Sequence, residues 1–388
     1  MRHIDDLIEQ LCPDGAEYRR LGDLLDYEQP GKYLVASADY DDSYTTPVLT
    51  AGQTFILGFT DEADGIYPAS PEASVVIFDD FTTAFKWVDF PFKAKSSAMK
   101  MLTPKSDQPV NLRYIYFAMQ TITYAPQDHA RQWISTYSQF RVPVPPADVQ
   151  AEIVRVLDLF SELEAELEAE LEARRSQYAH CRGQLLTFPE NEARWTTLGE
   201  VCTKVSSGGT PSSERADYYG GNIPWLRTQE VDSVEIWSTG MTITEEGLRN
   251  SSAKWIPAHC VIVAMYGATA AKVAINAIPL TTNQACCNLQ IDPSQAEYRY
   301  VFHWVANEYE RIKALGEGSQ SNLNAQKVKN YPIPVPPLDD QREIVSILDN
   351  FDSLVNDLSI GLPAELVARR KQYEYYRDHL LTFRERVT

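Results

Sequence analysis

The feature that most constrains this chain is that it is written twice. Phe140-Arg-Val-Pro-Val-Pro-Pro146 recurs as Tyr331-Pro-Ile-Pro-Val-Pro-Pro337, and each is followed by Gln-x-Glu-Ile-Val-x-x-Leu-Asp-x-Phe, from Gln150 to Phe160 and from Gln341 to Phe351. Arg174-Arg175, Gln177-Tyr178 and Leu185-Leu-Thr-Phe188 return as Arg369-Arg370, Gln372-Tyr373 and Leu380-Leu-Thr-Phe383. The offset is 191 residues in the first half of this unit and 195 in the second, so the second copy carries four extra residues. Internal repetition dictates architecture before any element is assigned.

Each repeat begins with a Pro-x-Pro-Pro stretch, which cannot enter a helix or a central strand and therefore predicts a rigid, extended lead-in. A helix follows. Ile153, Val156, Leu157, Phe160, Leu163, Leu167 and Leu171 fall three or four residues apart, as do Ile344, Ile347, Leu348, Phe351, Leu354, Leu358, Leu362 and Leu366. At ~1.5 Å per residue, helices of roughly 40 residues would reach about 60 Å. Their stripes predict an antiparallel coiled coil, with Pro363 kinking or interrupting the second helix. Leu163-Glu-Ala-Glu, Leu167-Glu-Ala-Glu and Leu171-Glu-Ala-Arg are strong helix formers and predict a stiff, acidic, solvated face.

Two stretches of about 140 residues alternate with these helices, with boundaries predicted at 1–140, 141–190, 191–330 and 331–388. Tyr18-Arg-Arg-Leu-Gly-Asp23 corresponds weakly to Trp195-Thr-Thr-Leu-Gly-Glu200. Val76-Ile-Phe78 with Thr83 and Lys86 corresponds to Ile262-Val-Ala264 with Thr269 and Lys272. Short β-rich runs, turn residues and many aromatics predict a globular α+β domain in each stretch. The resulting order of globular domain, helix, globular domain, helix predicts pseudo-two-fold symmetry and neighbouring termini.

This organisation resembles the specificity subunits of type I restriction-modification enzymes, and the resemblance covers essentially the whole chain. Its most specific elements are Pro334-Val-Pro-Pro-Leu-Asp-Asp-Gln-Arg-Glu-Ile-Val345, the weaker copy at Pro143 to Val154, Leu198-Gly-Glu200 and Ser207-Gly-Gly-Thr-Pro211. Val263-Ala-Met-Tyr-Gly-Ala-Thr-Ala-Ala-Lys-Val273 and Asn283-Gln-Ala285 look like core elements of the family's target-recognition domains. The first globular stretch lacks a Gly-Gly-Thr-Pro segment and joins the comparison through its position in the repeat. The resemblance implies two target-recognition domains, each reading one half of a bipartite, asymmetric site in double-stranded DNA. It also implies helices that act as a spacing ruler and dock two DNA adenine methyltransferase subunits, with two motor-nuclease subunits as optional further members. On the helices, Gln150, Ile153, Leu157 and Phe160, with Gln341, Ile344, Leu348 and Phe351, are the partner-binding candidates.

Chemistry in the chain itself is not predicted. Asn222-Ile-Pro-Trp225 only superficially matches the Asn-Pro-Pro-aromatic motif of amino-methyltransferases, and no glycine-rich cofactor loop accompanies it. Ser207-Gly-Gly-Thr-Pro211 lacks the Gly-Lys-Ser/Thr ending of a phosphate-binding loop. His3, His129, His180, His259, His303 and His379 show no metal-ligand spacing, and the six cysteines contain no Cys-x-x-Cys pair, as expected of free thiols in a reducing cytoplasm. No cofactor is expected here; S-adenosylmethionine, ATP and magnesium are expected in the partners. The first eleven residues read as an amphipathic helix and no apolar run suits a membrane, so the expected location is cytoplasmic.

The net charge of −19, from 54 acidic and 35 basic residues, opposes a simple basic DNA-binding footprint. DNA contact is therefore sought in local sets. Lys86, Lys93, Lys95, Lys100 and Lys105 stand among Phe85, Trp87, Phe90 and Phe92 with one acid, Asp89. In the second stretch the set is Arg215, Arg227, Thr228, Gln229, Arg249, Lys254 and Lys272, with Ser319-Gln-Ser-Asn322 and Lys327 beyond it. Lysine and arginine would neutralise phosphates, whereas arginine and glutamine can read guanine and adenine edges. The acidity also admits a DNA-mimic anti-restriction protein, and the helices admit a scaffold without DNA readout.

Overall fold

A computed structural model describes residues 2–52, 54–108, 110–127, 130–189, 193–316, 322–356 and 360–386. The chain forms two compact units. Unit 1 comprises Met1–Leu167 and Leu366–Thr388, and unit 2 comprises Glu168–Glu365. These divisions fall within the helical regions and not at residues 140, 190 and 330. The reason is packing: Ile153 and Leu157 belong to the core of unit 1, and Ile344 and Leu348 to that of unit 2, so each helix start is part of its globular neighbour.

The elements that position the site are helices α1 (Arg2–Leu11), α2 (Leu112–Met119), α3 (Ala147–Leu185), α4 (Tyr298–Asn307), α5 (Leu338–Asn356) and α6 (Gly361–Leu380). Each Pro-x-Pro-Pro lead-in is extended as expected and also pairs. Strand β1 (Glu17–Arg20) runs antiparallel to β2 (Arg141–Val144), and β3 (Arg194–Thr197) antiparallel to β4 (Pro332–Val335). A two-stranded ladder has two open sides, so the missing proline N–H is tolerated there.

The resemblance between the two globular parts, weak in sequence, is close in topology. In unit 1 a four-stranded sheet has the order Leu25–Glu28, Met99–Pro104, Val75–Asp79, Phe85–Val88. In unit 2 Cys202–Ser207, Cys286–Ile291, Val261–Ala264 and Val273–Asn276 occupy the same order, with Glu235–Ile236 added at the end. A second sheet holds one parallel pair in each unit: Thr46–Leu49 beside Lys93–Ala94, and Tyr219–Leu226 beside Leu280–Thr282. The hairpin turns match as well, since Thr83 and Ala271 both have positive φ (59° and 70°) just before the second strand. This register corrects the sequence correspondence of Lys86 with Lys272. Lys86 lies opposite Ile77 within its strand, while Lys272 precedes the strand that begins at Val273.

Helix α3 is continuous over 39 residues. Within unit 1, Phe160 of α3 stacks on Tyr376 of α6 and Glu164 pairs with Arg370 at 2.6 Å, an antiparallel progression. Within unit 2, Tyr178 of α3 stacks on Phe351 of α5. The second helical region is interrupted at Gly361, whose φ is 81°, ahead of Pro363, which occupies the first turn of α6, where a helix tolerates proline. The four extra residues of the second copy fall in the interval between Phe351 and Arg369. Leu358 lies outside the described residues. The C-terminal segment completes unit 1: Leu380, Leu381 and Phe383 are buried in its core. The Tyr18 hydroxyl donates to the Phe383 carbonyl at 3.0 Å, and Ala16 N–H donates to the Arg384 carbonyl while its own carbonyl accepts from Arg386 N–H, both at 2.9 Å.

Candidate nucleic-acid interface

In unit 2 the two parallel strands end at the same sheet edge, so Arg227 and Asn283, the residues that follow them, emerge together. Asn283 N–H donates to the Leu226 carbonyl at 2.9 Å. The Gly-Gly segment joins this edge because it alone can approach so closely. Gly209 N–H donates to the Thr282 carbonyl and its own carbonyl accepts from Trp225 Nε1, both at 2.9 Å, while Thr210 donates to the Gln284 side chain. A Cβ on Gly208 would strike the Thr282 carbonyl, and one on Gly209 the backbone of Ser252 and Ala253. Thr269 Oγ1 donates to the Thr228 carbonyl at 2.8 Å and brings in the turn after Tyr266. Thr210, Gln229, Lys254, Tyr266 and Gln284 are all exposed on this loop cluster. Together they supply hydroxyl, amide, ammonium and aromatic groups, the set that contacts phosphates and base edges.

The predicted residues divide around this cluster. Arg227 and Gln229 belong to it, whereas Thr228 is buried beneath it. Arg227 lies 3.8 Å from Glu230, and its buried Nε has no hydrogen-bond partner. Lys254 and Arg249 are exposed and have no ion-pair partner among the described residues. Arg215 is bound by Asp217 at 2.6 Å and lies over the Tyr218 ring, and Lys272 is held by Asp232 at 2.6 Å, so both cations are already compensated. Ser319-Gln-Ser321 and His129 lie outside the described residues.

Unit 1 has the equivalent edge with different side chains. Lys95 N–H donates to the Leu49 carbonyl at 3.0 Å, reproducing the Asn283 bond, and places Lys95-Ser-Ser97 beside Thr50-Ala-Gly52. Lys95 is exposed, its ammonium donating to the Tyr40 hydroxyl at 2.9 Å. Lys86 is half-buried. Lys93 and Lys100 are corrections to the predicted DNA set. Lys93 is buried, 2.6 Å from Glu62, and donates to the Asp64 carbonyl; Lys100 is only 1% exposed and lies 3.0 Å from the equally buried Asp80. Neither can offer its charge to a phosphate. Lys105 likewise donates to the Gly22 carbonyl at 2.7 Å. Trp87 lines a groove of about 870 Å³ that also contains Glu28, Glu72, Asp89, Asp158 and Glu162, an acidic surface unsuited to DNA.

The predicted partner-binding residues are also corrected. Gln150, Ile153, Leu157, Gln341, Ile344 and Leu348 are buried within their own units, and Phe160 and Phe351 are half-buried in ring stacks. Their spacing marked the inward stripe of the helix, whose six buried members have no surface to offer a second protein in the folded chain. Among the described residues, no three His, Cys, Asp or Glu side chains group as a metal site, and no helix is long and apolar enough to cross a membrane.

Sequence reading missed Thr210, Tyr266 and Gln284 as members of one cluster. A signal was present: Pro47-Val-Leu-Thr50 and Pro224-Trp-Leu-Arg227 share the Pro-x-Leu that leads each parallel strand to the edge.

A family model described as the type I restriction modification DNA specificity domain matches residues 13–173 and 192–368. The chain is 45% identical over 383 residues to the specificity subunit of the type I restriction enzyme EcoR124I/EcoR124II of Escherichia coli, spanning 95% of this chain and 94% of that protein. Among solved structures it is similar to the S subunit of a type I restriction-modification system from M. genitalium, with a TM-score of 0.60 at 14% identity over 94% of this chain and 96% of that one. A chain from a structure addressing complex assembly and conformational transition of the type I R-M system gives the same TM-score at 15% identity, covering 95% and 97%. At these identities the structural likeness concerns the fold.

Proposed function

The chain belongs to the type I restriction-modification DNA specificity family, whose members supply recognition and no catalysis, and from that premise we propose that it reads a bipartite, asymmetric site in double-stranded DNA, one half through each unit. The observation that carries this reading is one scaffold used twice with different side chains at the same edge. Arg227 and Asn283-Gln284 stand in unit 2 where Thr50 and Lys95-Ser96 stand in unit 1, and unit 2 adds Gln229 and Lys254 beside them. A repeated scaffold supports two half-sites, and unlike side chains support unlike halves.

In the same proposal the two helical regions form an antiparallel, pseudo-two-fold spacer between the recognition domains. Two DNA adenine methyltransferase subunits dock on the outward helix faces, and two motor-nuclease subunits complete a restriction complex. S-adenosylmethionine, ATP and magnesium then belong to those partners. The acidic-mimic reading is disfavoured by exposed, uncompensated Lys254 and Arg249 beside a polar loop cluster.

The test is methylation-site sequencing with the methyltransferase partner present. Gln229→Ala and Gln284→Ala should relax base choice in one half only, losing about 1–3 kcal/mol where a bidentate contact is removed. Lys254→Met should weaken binding to all sequences alike and reduce the salt slope by about 1. Simultaneous change of both halves in the glutamine variants would overturn independent readout.

A further inference from the structure

The two units repeat a second contact set, made by residues outside the loop clusters. In unit 1, Asn111 N–H donates to Gln150 Oε1 at 2.9 Å, and Gln150 Nε2 donates to the Pro145 carbonyl at 2.8 Å. Two turns further along α3, Asp158 accepts from Arg113 Nε at 2.8 Å. In unit 2, Glu297 N–H donates to Gln341 Oε1 at 2.9 Å, Gln341 Nε2 donates to the Pro336 carbonyl at 2.8 Å, and Asp349 accepts from Arg299 Nε at 2.6 Å. The start of α2 or α4 is thus held at two points on the long helix, eight residues or about 12 Å apart. Buried Ile153 and Leu157 in α3, and Ile344 and Leu348 in α5, seat the start of each helix in its unit, and the Arg–Asp pair adds a polar fix of its direction two turns beyond the glutamine.

The pair in unit 2 is reinforced. His303, fully buried, lies with Nε2 2.7 Å from the other Asp349 oxygen. Burial would raise the Asp349 carboxyl, but the hydrogen bonds from His303 and Arg299 outweigh it and hold it below the ordinary carboxylate range. The direction of such a helix has leverage. Over the 39 residues of α3, about 58 Å, a swing of about 5° displaces the far end by about 5 Å, more than the ~3.4 Å rise of one base pair; over the 19 residues of α5, about 28 Å, about 7° displaces the end by about one base-pair rise.

We propose that Arg113–Asp158 and Arg299–Asp349 are positioning pairs that determine which gap between half-sites is accepted, by fixing the direction in which each long helix leaves its recognition domain. This rests on the bipartite reading above. The pairs act without touching DNA, so they govern spacing and leave base identity alone. Unit 2 offers the cleaner test, because Arg113 also packs on the rings of Trp87, Tyr116 and Phe117, whose packing would be lost with it.

The experiment uses the full chain assembled with its methyltransferase partner, on duplexes carrying the native half-sites with the gap changed by up to about two base pairs either way. Wild type should favour one gap. Arg299→Met and the isosteric Asp349→Asn should lower the ratio of native-gap to neighbouring-gap methylation about tenfold, with the same bases read in each half, and Arg299→Lys should retain most of the selectivity. Asp349→Asn decides the matter if Arg299→Met does not assemble. An assembled Asp349→Asn complex with the wild-type gap profile overturns the proposal, as does a change in the bases read. Equal methylation at every gap by wild type would instead remove the bipartite reading, and the positioning role with it.

Discussion

Replacing Lys100 by methionine separates two incompatible roles for this residue. Lys100 and Asp80 are each about 1% exposed and lie 3.0 Å apart, and Asp80 Oδ1 also accepts from Trp133 N–H at 2.8 Å. Methionine keeps most of the side-chain volume but leaves the Asp80 carboxylate uncompensated in the core. Breaking a buried pair from one side costs about 3–5 kcal/mol, much more than the pair itself contributes. For a unit of this size each kcal/mol moves the melting temperature by roughly 2–4 °C, so the expected fall is about 6–20 °C. The double variant Asp80→Asn, Lys100→Met removes the stranded charge while the asparagine carbonyl can still accept from Trp133, and it should recover most of the loss. Thermal unfolding, with hydrogen exchange over residues 75–104 to locate the effect in unit 1, gives the readout; DNA binding measured across salt concentrations gives the control. If Lys100→Met left stability unchanged and reduced the salt slope by about 1, Lys100 would be a phosphate contact and the burial argument would be wrong.

Two further outcomes are expected. Gly209→Ala should displace the Ser207–Pro211 segment from the backbone of Ser252 and Ala253, costing about 1–3 kcal/mol as an overpacking change and exposing the Gly209 and Trp225 hydrogen bonds to exchange, which peptide-level hydrogen exchange would detect. Burial pushes the thiols of Cys202, Cys260, Cys286 and Cys287 up to about 12, so the folded state holds them protonated and raising the pH from about 7 to 9 should not speed their alkylation; Cys181, half-buried on α3, should label first by mass spectrometry.

What could be read from the sequence depended on whether the relevant contacts were local. The order of domains and helices was legible because the repeat is exact in the side chains that pack, such as Gln150 and Gln341, although their task of gripping Asn111 and Glu297 was not. Lys93 and Lys100 looked uncompensated because Asp89 is the one acid within their own stretch; their true partners, Glu62 and Asp80, come from the loops that follow strands Ile56–Thr60 and Val75–Asp79. The helical stripe was correctly seen as apolar and expected to pack in a coiled coil, but Gln150, Ile153, Leu157 and Phe160 and their counterparts in the second copy were also assigned to partner proteins, since periodicity reveals a buried face without revealing what buries it. The first globular domain resisted recognition because its shared property with the second is strand order and the hydrogen bonds of the sheet edge, which are made by backbone and constrain side chains little. The Arg113-Tyr114 and Arg299-Tyr300 dipeptides, 186 residues apart, were a legible trace of the positioning pairs.

The participation of Leu380, Leu381 and Phe383 in the core of unit 1 has a consequence for the order in which the protein is made. Unit 2 is continuous in sequence and can close as soon as it has cleared the ribosome, but unit 1 must wait for residues from the far end. The 198 residues of unit 2 take about 10–40 s to translate at ~5–20 residues per second. Throughout that interval the nascent first domain carries an open apolar seam, the place where Leu380 and Leu381 will later sit beside Ile4, Ile153 and Leu157. The domain made first is therefore the last to mature. A chaperone that shields apolar surface would find its binding site there, and a message cut short before codon 380 would release a polypeptide whose second half is folded and whose first half is marked for proteolysis.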